Sequence, residues 1–255
     1  MSNISYSAIK TILLYEIIDF IKEFQFNIIA PLINTLLFVC ILSTIENYYN
    51  INTHESSYIN FLVPGIVMMV IIQTSFNHLS EVIISMKQTG SFNDYLMSPI
   101  TRTEICISFI FSSIFVCIIV CLINLLTLFF FTNFDQINYF TLFYYLILTI
   151  IIFSSLGALT GFLSFTWDIQ SSVSNFFILP ISFFSGTFFP IDSLDQRWQF
   201  IYKYNPFYYL VHGFRSAFDD KINLSLFNDI YILIIAFIFS LFAIYIFHKG
   251  YKVIC

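Results

Sequence analysis

The stretch from Ile105 to Phe131 reads ICISFIFSSIFVCIIVCLINLLTLFFF and contains no Asp, Glu, Lys or Arg. A helix that crosses a membrane needs about 20 mostly apolar residues, because the hydrocarbon layer is about 30 Å thick. The strict alternation of apolar and polar residues that indicates a barrel strand is missing from this stretch. Since backbone amides in lipid must be bonded within their own segment, the stretch predicts a membrane-spanning α-helix.

Five further segments have the same apolar character, and the charged and turn-forming residues gather between them. The six predicted spans are 26–45, 58–79, 105–131, 139–166, 170–190 and 229–248. We therefore expect an all-α integral membrane protein in which six transmembrane helices form a single domain over residues 1–255.

The composition excludes two other classes of protein. Hydrophobic residues make up 58% of the 255 residues and charged residues only 10%, whereas soluble domains carry about 25% charged residues. The net charge is -5, and the chain has no cluster of Lys and Arg that would neutralise nucleic-acid phosphates. Membrane lipid is therefore the expected surroundings of the chain, and no nucleic-acid partner is expected.

The distribution of Lys and Arg predicts the orientation, since short cytoplasmic loops are enriched in them. An even number of spans places both termini on one side. With the termini inside, six basic residues are cytoplasmic: Lys10, Lys22, Lys87, Arg102, Lys249 and Lys252. Four are then outside: Arg197, Lys203, Arg215 and Lys221. This balance favours cytoplasmic termini.

Two segments outside the spans have helical patterns of their own. Residues 1–23 carry three acids at helical spacing on an otherwise apolar surface, which predicts an interfacial helix, or else an extension of the first span. Residues 191–227 predict two short helices that re-enter or cap the outer face, because each is too short to span. Asn205 is the expected N-cap of the second helix, with Pro206 at its first position. Trp198 and Arg215 belong to the same hairpin.

Catalytic and metal-binding motifs are missing from the sequence. No glycine is followed by Lys, so there is no P-loop for ATP, and HExxH and GxSxG do not occur. The five cysteines include no CxxC pair. We therefore expect a chain that is not an enzyme and carries no cofactor or metal.

The polar residues within the predicted spans are few and mostly neutral. Gln73, Asn77, Asn124 and Asn175 are candidates for lining a translocation pathway, or else for interhelical hydrogen bonds. A proton-coupled carrier usually keeps a buried ionisable residue, which the spans hardly offer. Gly157 and Gly161 form a GxxxG pattern that indicates close helix packing.

Three stretches together resemble the ABC-2 type permease family, the membrane subunits of exporters that are driven by separate ATPases. The first stretch is Phe61-Leu62-Val63-Pro64-Gly65-Ile66, followed by Met68 and Met69. The second contains Lys87, Gly90, Leu96-Met97-Ser98-Pro99 and Glu104. The third runs from Phe184-Ser185-Gly186-Thr187-Phe188-Phe189-Pro190-Ile191 through Asn205-Pro206 to Gly213-Phe214-Arg215. The ordered set extends over nearly the whole chain.

The resemblance implies a dimer of permeases, here a homodimer, with two ABC ATPase subunits that bind ATP and Mg. It also implies that the 80–102 loop holds a coupling helix docked on the ATPase. The expected coupling residues are Ile84, Lys87, Gly90, Phe92, Tyr95, Leu96, Ser98 and Pro99. Ile84, Phe92, Tyr95 and Leu96 are the predicted anchors, so a charge at Phe92 or Leu96 is expected to abolish transport.

The expected function is thus the export of an amphipathic substrate, such as a drug, a lipid or a lipid-linked glycan. Two alternatives remain from other classes of protein. One is a proton-coupled secondary carrier. The other is a membrane-embedded enzyme that modifies lipids, with His212, Asp219 and Asp220 as its acid and base groups.

Overall fold

The computed structural model describes residues 6–49, 52–53, 56–132, 137–189, 197, 199, 202, 205–219 and 226–249. The amino-terminal part contains α1 (Tyr6–Lys22), a π-helical turn (Gln25–Ile29), α2 (Ala30–Tyr49), and two short antiparallel strands, β1 (Asn52–Thr53) and β2 (Ser56–Ser57). The middle contains α3 (Tyr58–Thr89), α4 (Phe92–Met97), α5 (Arg102–Leu128), a 3-10 turn (Phe129–Phe131) and α6 (Tyr139–Leu163). The last part contains α7 (Trp167–Val173), a π-helical turn (Ser174–Ile178), α8 (Leu179–Phe183), α9 (Pro206–Arg215) and α10 (Leu226–Lys249).

Five helical segments in the described part of the chain are long and apolar enough to cross a membrane. They are Gln25–Glu46, Tyr58–Thr89, Arg102–Phe131, Tyr139–Leu163 and Phe227–Lys249. These segments confirm the predicted all-α integral membrane fold and correspond to five of the six predicted spans. The remaining span was predicted as one helix over 170–190. In the structure, α7, the π-helical turn and α8 follow one another from Trp167 to Phe183, so the helical segment ends before residue 190. This segment lies at the lower limit of length for a crossing helix.

Helix α3 is longer than its predicted span. The sequence predicted that the helix leaves the membrane at residue 79, yet α3 continues to Thr89 and has 32 residues. Its length is about 48 Å at 1.5 Å per residue, well above the thickness of the hydrocarbon layer. The extension is helical because Ile83 and Met86 pack into the same apolar cluster as Ile105 and Phe109 of α5. The predicted 80–102 loop is therefore a loop only from Gly90 onwards.

Helices α3 and α6 cross closely at the centre of the bundle. A Cβ atom added to Gly157 would collide with the backbone carbonyl oxygen of Phe76, and one added to Gly161 would lie 2.9 Å from Cβ of Ile83. Because both glycines of the GxxxG pattern face α3, the two helices approach closely, with backbone against backbone at Gly157.

Helix α1 packs against the bundle along one stripe. Ile12, Glu16 and Phe20 are buried at four-residue spacing, whereas Leu14 and Ile18 are exposed. An interfacial helix is expected to direct its acids to water, but Glu16 points into the protein. Its burial follows from its position between two residues that pack on the bundle.

The predicted outer hairpin is described only in part. Trp198 and most of the first short helix lie outside the described residues. The second short helix is α9, and it begins at Pro206 as predicted. The side chain of Asn205 accepts a hydrogen bond from the amide of Phe207 at 3.0 Å, and its Nδ2 donates to the carbonyl oxygen of Phe184 at 3.1 Å.

Candidate functional site

The connection between α3 and α5 is a compact helical elbow, which we define as residues 87–104. Helix α3 ends at Thr89, and the φ of the next residue, Gly90, is 79°, in the left-handed region that favours glycine. After the six residues of α4, Ser98 turns into an extended conformation before Pro99. Thr101 then caps α5: its hydroxyl accepts from the amide of Glu104 at 3.4 Å, and the Glu104 carboxylate accepts from the Thr101 amide at 2.7 Å. These reciprocal bonds form a capping box.

Lys87 connects the end of α3 to the end of α6. Its Nζ donates to the carbonyl oxygens of Gly161 at 2.9 Å, Phe162 at 2.5 Å and Ser164 at 3.2 Å. It also lies 4.7 Å from the centre of the Phe165 ring. A cation at the carboxyl end of a helix satisfies free carbonyl groups and complements the helix dipole. Lys87 therefore fastens the elbow to the bundle.

Two of the predicted coupling anchors face the chain's own helices. Ile84 is 0% exposed and Phe92 is 2% exposed, and the ring of Phe92 lies 5.9 Å from that of Phe247 in α10. Tyr95 is partly buried, with its ring centre 6.1 Å from that of Phe109 in α5. The side chain of Leu96 lies outside the described residues. Ile84 and Phe92 thus hold the elbow in place from within rather than presenting themselves to a partner.

The opposite side of α4 is open. Met97 is 87% exposed, although it is a large apolar residue. The other exposed residues of the elbow are Gln88, Thr89, Gly90, Asn93, Asp94 and Pro99. Ser98 Oγ donates to the carbonyl oxygen of Tyr95 at 2.6 Å, which keeps the end of α4 compact. We call this exposed face of α4 and its flanking residues the outer face of the elbow.

A groove of about 850 Å³ lies between α3 on one side and α1 with the start of α2 on the other. Tyr95 of α4 and Trp167 and Phe183 of the α7–α8 segment also line it. Four carboxylate residues line the groove: Glu16, Asp19, Glu23 and Glu81. Among the described residues that line it, none is a Lys or Arg.

Two polar side chains in this groove have a buried atom without a hydrogen-bond partner in the described structure. They are Glu16, at Oε1, and His78, at Nε2. Burial, and to a smaller extent the nearby Asp19, raises the pKa of Glu16 from about 4.5 to about 7. Burial, with Glu16 and Tyr15 nearby, also raises the pKa of Tyr95 to about 12. The groove therefore disfavours negative charge when nothing is bound.

The four candidate pathway residues are not brought together. Gln73 and Asn77 line the groove, and Asn77 accepts hydrogen bonds from Gln170 at 3.1 Å and from Ser174 at 2.9 Å. Asn124 is buried and accepts a hydrogen bond from Thr35 of α2 at 2.8 Å. Asn175 is an exposed residue of the π-helical turn. Only two of the four residues therefore have access to the groove.

The first and third stretches of the family resemblance meet at Arg215. Its guanidinium donates from Nε to the carbonyl oxygen of Phe61 at 3.1 Å, and from Nη2 to those of Gly186 at 3.2 Å and Thr187 at 3.3 Å. It also stacks on the Phe61 ring at 3.7 Å from the ring centre. A Cβ atom on Gly65 would lie 2.6 Å from the Thr187 carbonyl oxygen. The close contact of these backbone segments explains the glycine at position 65, while the positive φ of Gly186, 74°, explains the glycine there.

Sequence reasoning missed the groove and the burial of Glu16. It treated the acids of residues 1–23 together as the polar face of an interfacial helix. The spacing of Ile12, Glu16 and Phe20 was a usable signal, because residues four apart share one helix face. Glu104 is buried as well and is 6% exposed. The Thr101-x-x-Glu104 pattern was visible as a capping box.

These features define the class of the protein as a multi-pass membrane permease. The ABC-2 type transporter family model matches residues 7–218, and the chain belongs to this family. Membership implies an ABC ATPase as partner. The inner membrane transport permease YadH of Escherichia coli strain K12 is 27% identical over 244 residues, which cover 93% of this chain and 94% of the relative. YadH of Escherichia coli O157:H7 and YadH of Shigella flexneri match with the same identity and coverage. The chain is accordingly a multi-pass inner-membrane transport permease.

Proposed function

We propose that this chain is the membrane-spanning subunit of an ABC exporter, forming the pathway for an amphipathic substrate and coupled to a separate ATPase. Two copies of the chain pair in the complex, and ATP and Mg bind to the ATPase subunits. The observation that carries the proposal is the elbow, which is anchored to the bundle on one side and exposed on the other.

The construction of the elbow supports a mechanical role. Phe92 packs into the apolar cluster of α3 and α5, and Lys87 fastens α3 to α6. Force applied to the outer face of the elbow is therefore transmitted to α3, α5 and α6 together. Rigid-body movement of packed helices is an established way of passing a conformational change across a protein.

The location of the elbow supports cytoplasmic termini. Arg102 at the start of α5 donates to the carbonyl oxygen of His248, near the end of α10, at 2.9 Å. The elbow and the end of α10 therefore lie at the same end of the bundle. Lys87, Arg102 and Lys249 are basic residues at this end, which favours the cytoplasmic side. We further propose that the segment from Trp167 to Phe183 provides the sixth crossing.

A second candidate function, a proton-coupled carrier, is favoured by one observation. The argument against it was the near absence of buried ionisable residues, yet Glu16 is 3% exposed inside the bundle. A carboxylate whose pKa is about 7 can take up and release a proton in the physiological range. The family membership of the chain favours the ATPase-coupled function.

Proteoliposomes separate the two functions. The chain is reconstituted alone or with its ATPase, and the movement of neutral, cationic and anionic fluorescent amphiphiles is followed. The exporter account expects movement only when the ATPase and ATP are both present. Movement by the chain alone, driven by a pH gradient and abolished by an uncoupler, would establish the carrier instead.

A further inference from the structure

The groove between α1 and α3 has an unbalanced charge. Its lining includes four carboxylate residues, while no Lys or Arg among the described residues lines it. The nearest base of the elbow, Lys87, is bonded to carbonyl oxygens at the end of α6 and does not line the groove. Carboxylates from α1 and α3 thus face the same space, with no Lys or Arg among the lining residues that the structure describes.

The buried carboxylate of Glu16 gives an independent indication of a ligand. Glu16 is 3% exposed, it lines the groove, and its Oε1 makes no hydrogen bond within the described structure. A buried polar atom without a partner is destabilising, because it has lost its hydrogen bonds to water and gained none in the protein. A cationic group bound in the groove would be a partner for this oxygen atom and would balance the negative charge of the carboxylates.

The rest of the lining suits a bulky apolar group rather than a metal ion. Aromatic rings line the groove along its length, among them Phe20, Phe38, Tyr95, Trp167 and Phe183. Organic cations are attracted to the faces of such rings. The groove has a volume of about 850 Å³, which lies within the usual range of about 300–1,000 Å³ for small-molecule sites.

We propose that this groove binds amphiphilic organic cations, with Glu16 and Glu81 holding the charge and the aromatic rings holding the apolar part. The proposal rests on the proposed function, because these cations would be the substrates that the exporter transports. It narrows the class of substrate, since a lipid-linked glycan with an anionic phosphate linkage would meet four carboxylate residues and, among the described lining residues, no Lys or Arg.

Binding should depend on pH in a defined direction. Bound cation favours the ionised form of Glu16, so affinity should increase as the pH rises through about 7. The other titratable groups that line the groove come from α1, α3 and α4 and are Tyr15, Asp19, Glu23, His78, Glu81 and Tyr95. Protonation of any of the carboxylates or of His78 would also weaken cation binding, so all of these groups give the dependence the same sign.

The test uses two probes of similar shape and opposite charge. Radiolabelled tetraphenylphosphonium and tetraphenylborate are titrated onto the purified full chain in nanodiscs of phosphatidylcholine, with empty nanodiscs as background. Glu16→Gln and Glu81→Gln are compared with Asp168→Asn, whose exposed carboxylate does not line the groove. Gel filtration checks that each variant is monodisperse.

We expect saturable binding of the cation to the unaltered chain and to the Asp168 variant, and none of the anion. Each groove variant should bind the cation at least tenfold more weakly, and the unaltered chain should bind it more tightly at pH 8 than at pH 6. Equal binding of cation and anion, or unchanged affinity in both groove variants, would overturn the proposal. Should one variant fail to fold, the other variant and the comparison of the two probes decide the question.

The assay contains neither ATP nor an ATPase, so its failure leaves the proposed function standing. Conversely, a chain that bound the cation but moved amphiphiles without any ATPase would retain the site and lose the exporter assignment.

Discussion

At the scale of single residues, Glu16 should make the stability of the protein depend on pH. Its pKa is about 7 in the folded chain and about 4.5 when unfolded. The stabilisation from its protonated form is therefore complete below about pH 4.5 and is lost as the pH rises through 7, a change of roughly 3 kcal/mol. We expect the Tm of the chain in detergent to fall between pH 5 and pH 8.

Glu16→Gln should remove most of this fall, because an amide does not titrate. Asp168→Asn is the matched control and should keep the slope of the unaltered chain. An identical slope in the Glu16 variant would contradict the burial of this carboxylate.

Arg215 should be among the residues on which the fold depends most. It is 5% exposed and donates to three backbone carbonyl oxygens. Arg215→Ala leaves these acceptors without their donor and should destabilise the chain by about 2–4 kcal/mol. Arg215→Lys should recover only part of the loss, because one ammonium cannot reproduce the planar fork. Arg197→Ala, at an exposed position, serves as control in the same thermal melts, and an equal effect of both alanine variants would contradict the assignment.

At the scale of helices, the two glycines of α6 should differ in tolerance. A methyl group on Gly157 meets the backbone of Phe76, which cannot move without displacing α3. A methyl group on Gly161 meets the side chain of Ile83, which has some freedom to adjust. Gly157→Ala should therefore cost about 1–3 kcal/mol and Gly161→Ala less. Thermal melts of the two variants measure the difference, and the reverse order would contradict the packing described.

Substitutions on the two sides of α4 should have different effects. One on the buried side should lower the stability of the chain, and one on the exposed side should impair coupling to the ATPase. Phe92→Ala opens a cavity in the apolar cluster and should destabilise the chain by about 3–5 kcal/mol. Met97→Glu changes an exposed residue and should leave the Tm within about 2 °C, while abolishing ATP hydrolysis by the assembled complex. If the complex with Met97→Glu hydrolysed ATP as fast as the unaltered complex, the outer face of the elbow would not be the docking surface.

The positions of the helices along the chain could largely be predicted from the sequence, but which face of each helix is buried could not. Apolar length located the spans, and Asn205-Pro206 located the start of α9. The length of α3 was missed because Ser80 and Glu81 resemble the end of a span, although Ile83 and Met86 continue the buried stripe. For the same reason Phe92 was taken for a docking anchor: an aromatic residue in a short amphipathic helix packs equally well on its own bundle.

At the scale of the whole molecule, the sequence motifs lie at the two ends of the helix bundle. The elbow and the end of α10 lie together at one end, and the Arg215 cluster joins α3, the turn after α8 and α9. The groove beside α1 was not predictable, since residues far apart in sequence build it and their enclosure depends on how α1 packs on the bundle. Of the four candidate pathway residues, Gln73 and Asn77 line this groove, and whether they line a translocation pathway stays a prediction.

The central claim is that an ATPase docks on the outer face of the elbow. The most direct test places a photo-crosslinking amino acid at Met97, which is 87% exposed, and, as control, at Phe130, which is 90% exposed beyond the opposite end of α5. After irradiation of intact cells, the account predicts that a P-loop ATPase subunit is attached through position 97 and not through position 130. Attachment of the ATPase through position 130, or its absence from position 97 while the complex is intact, would contradict the account.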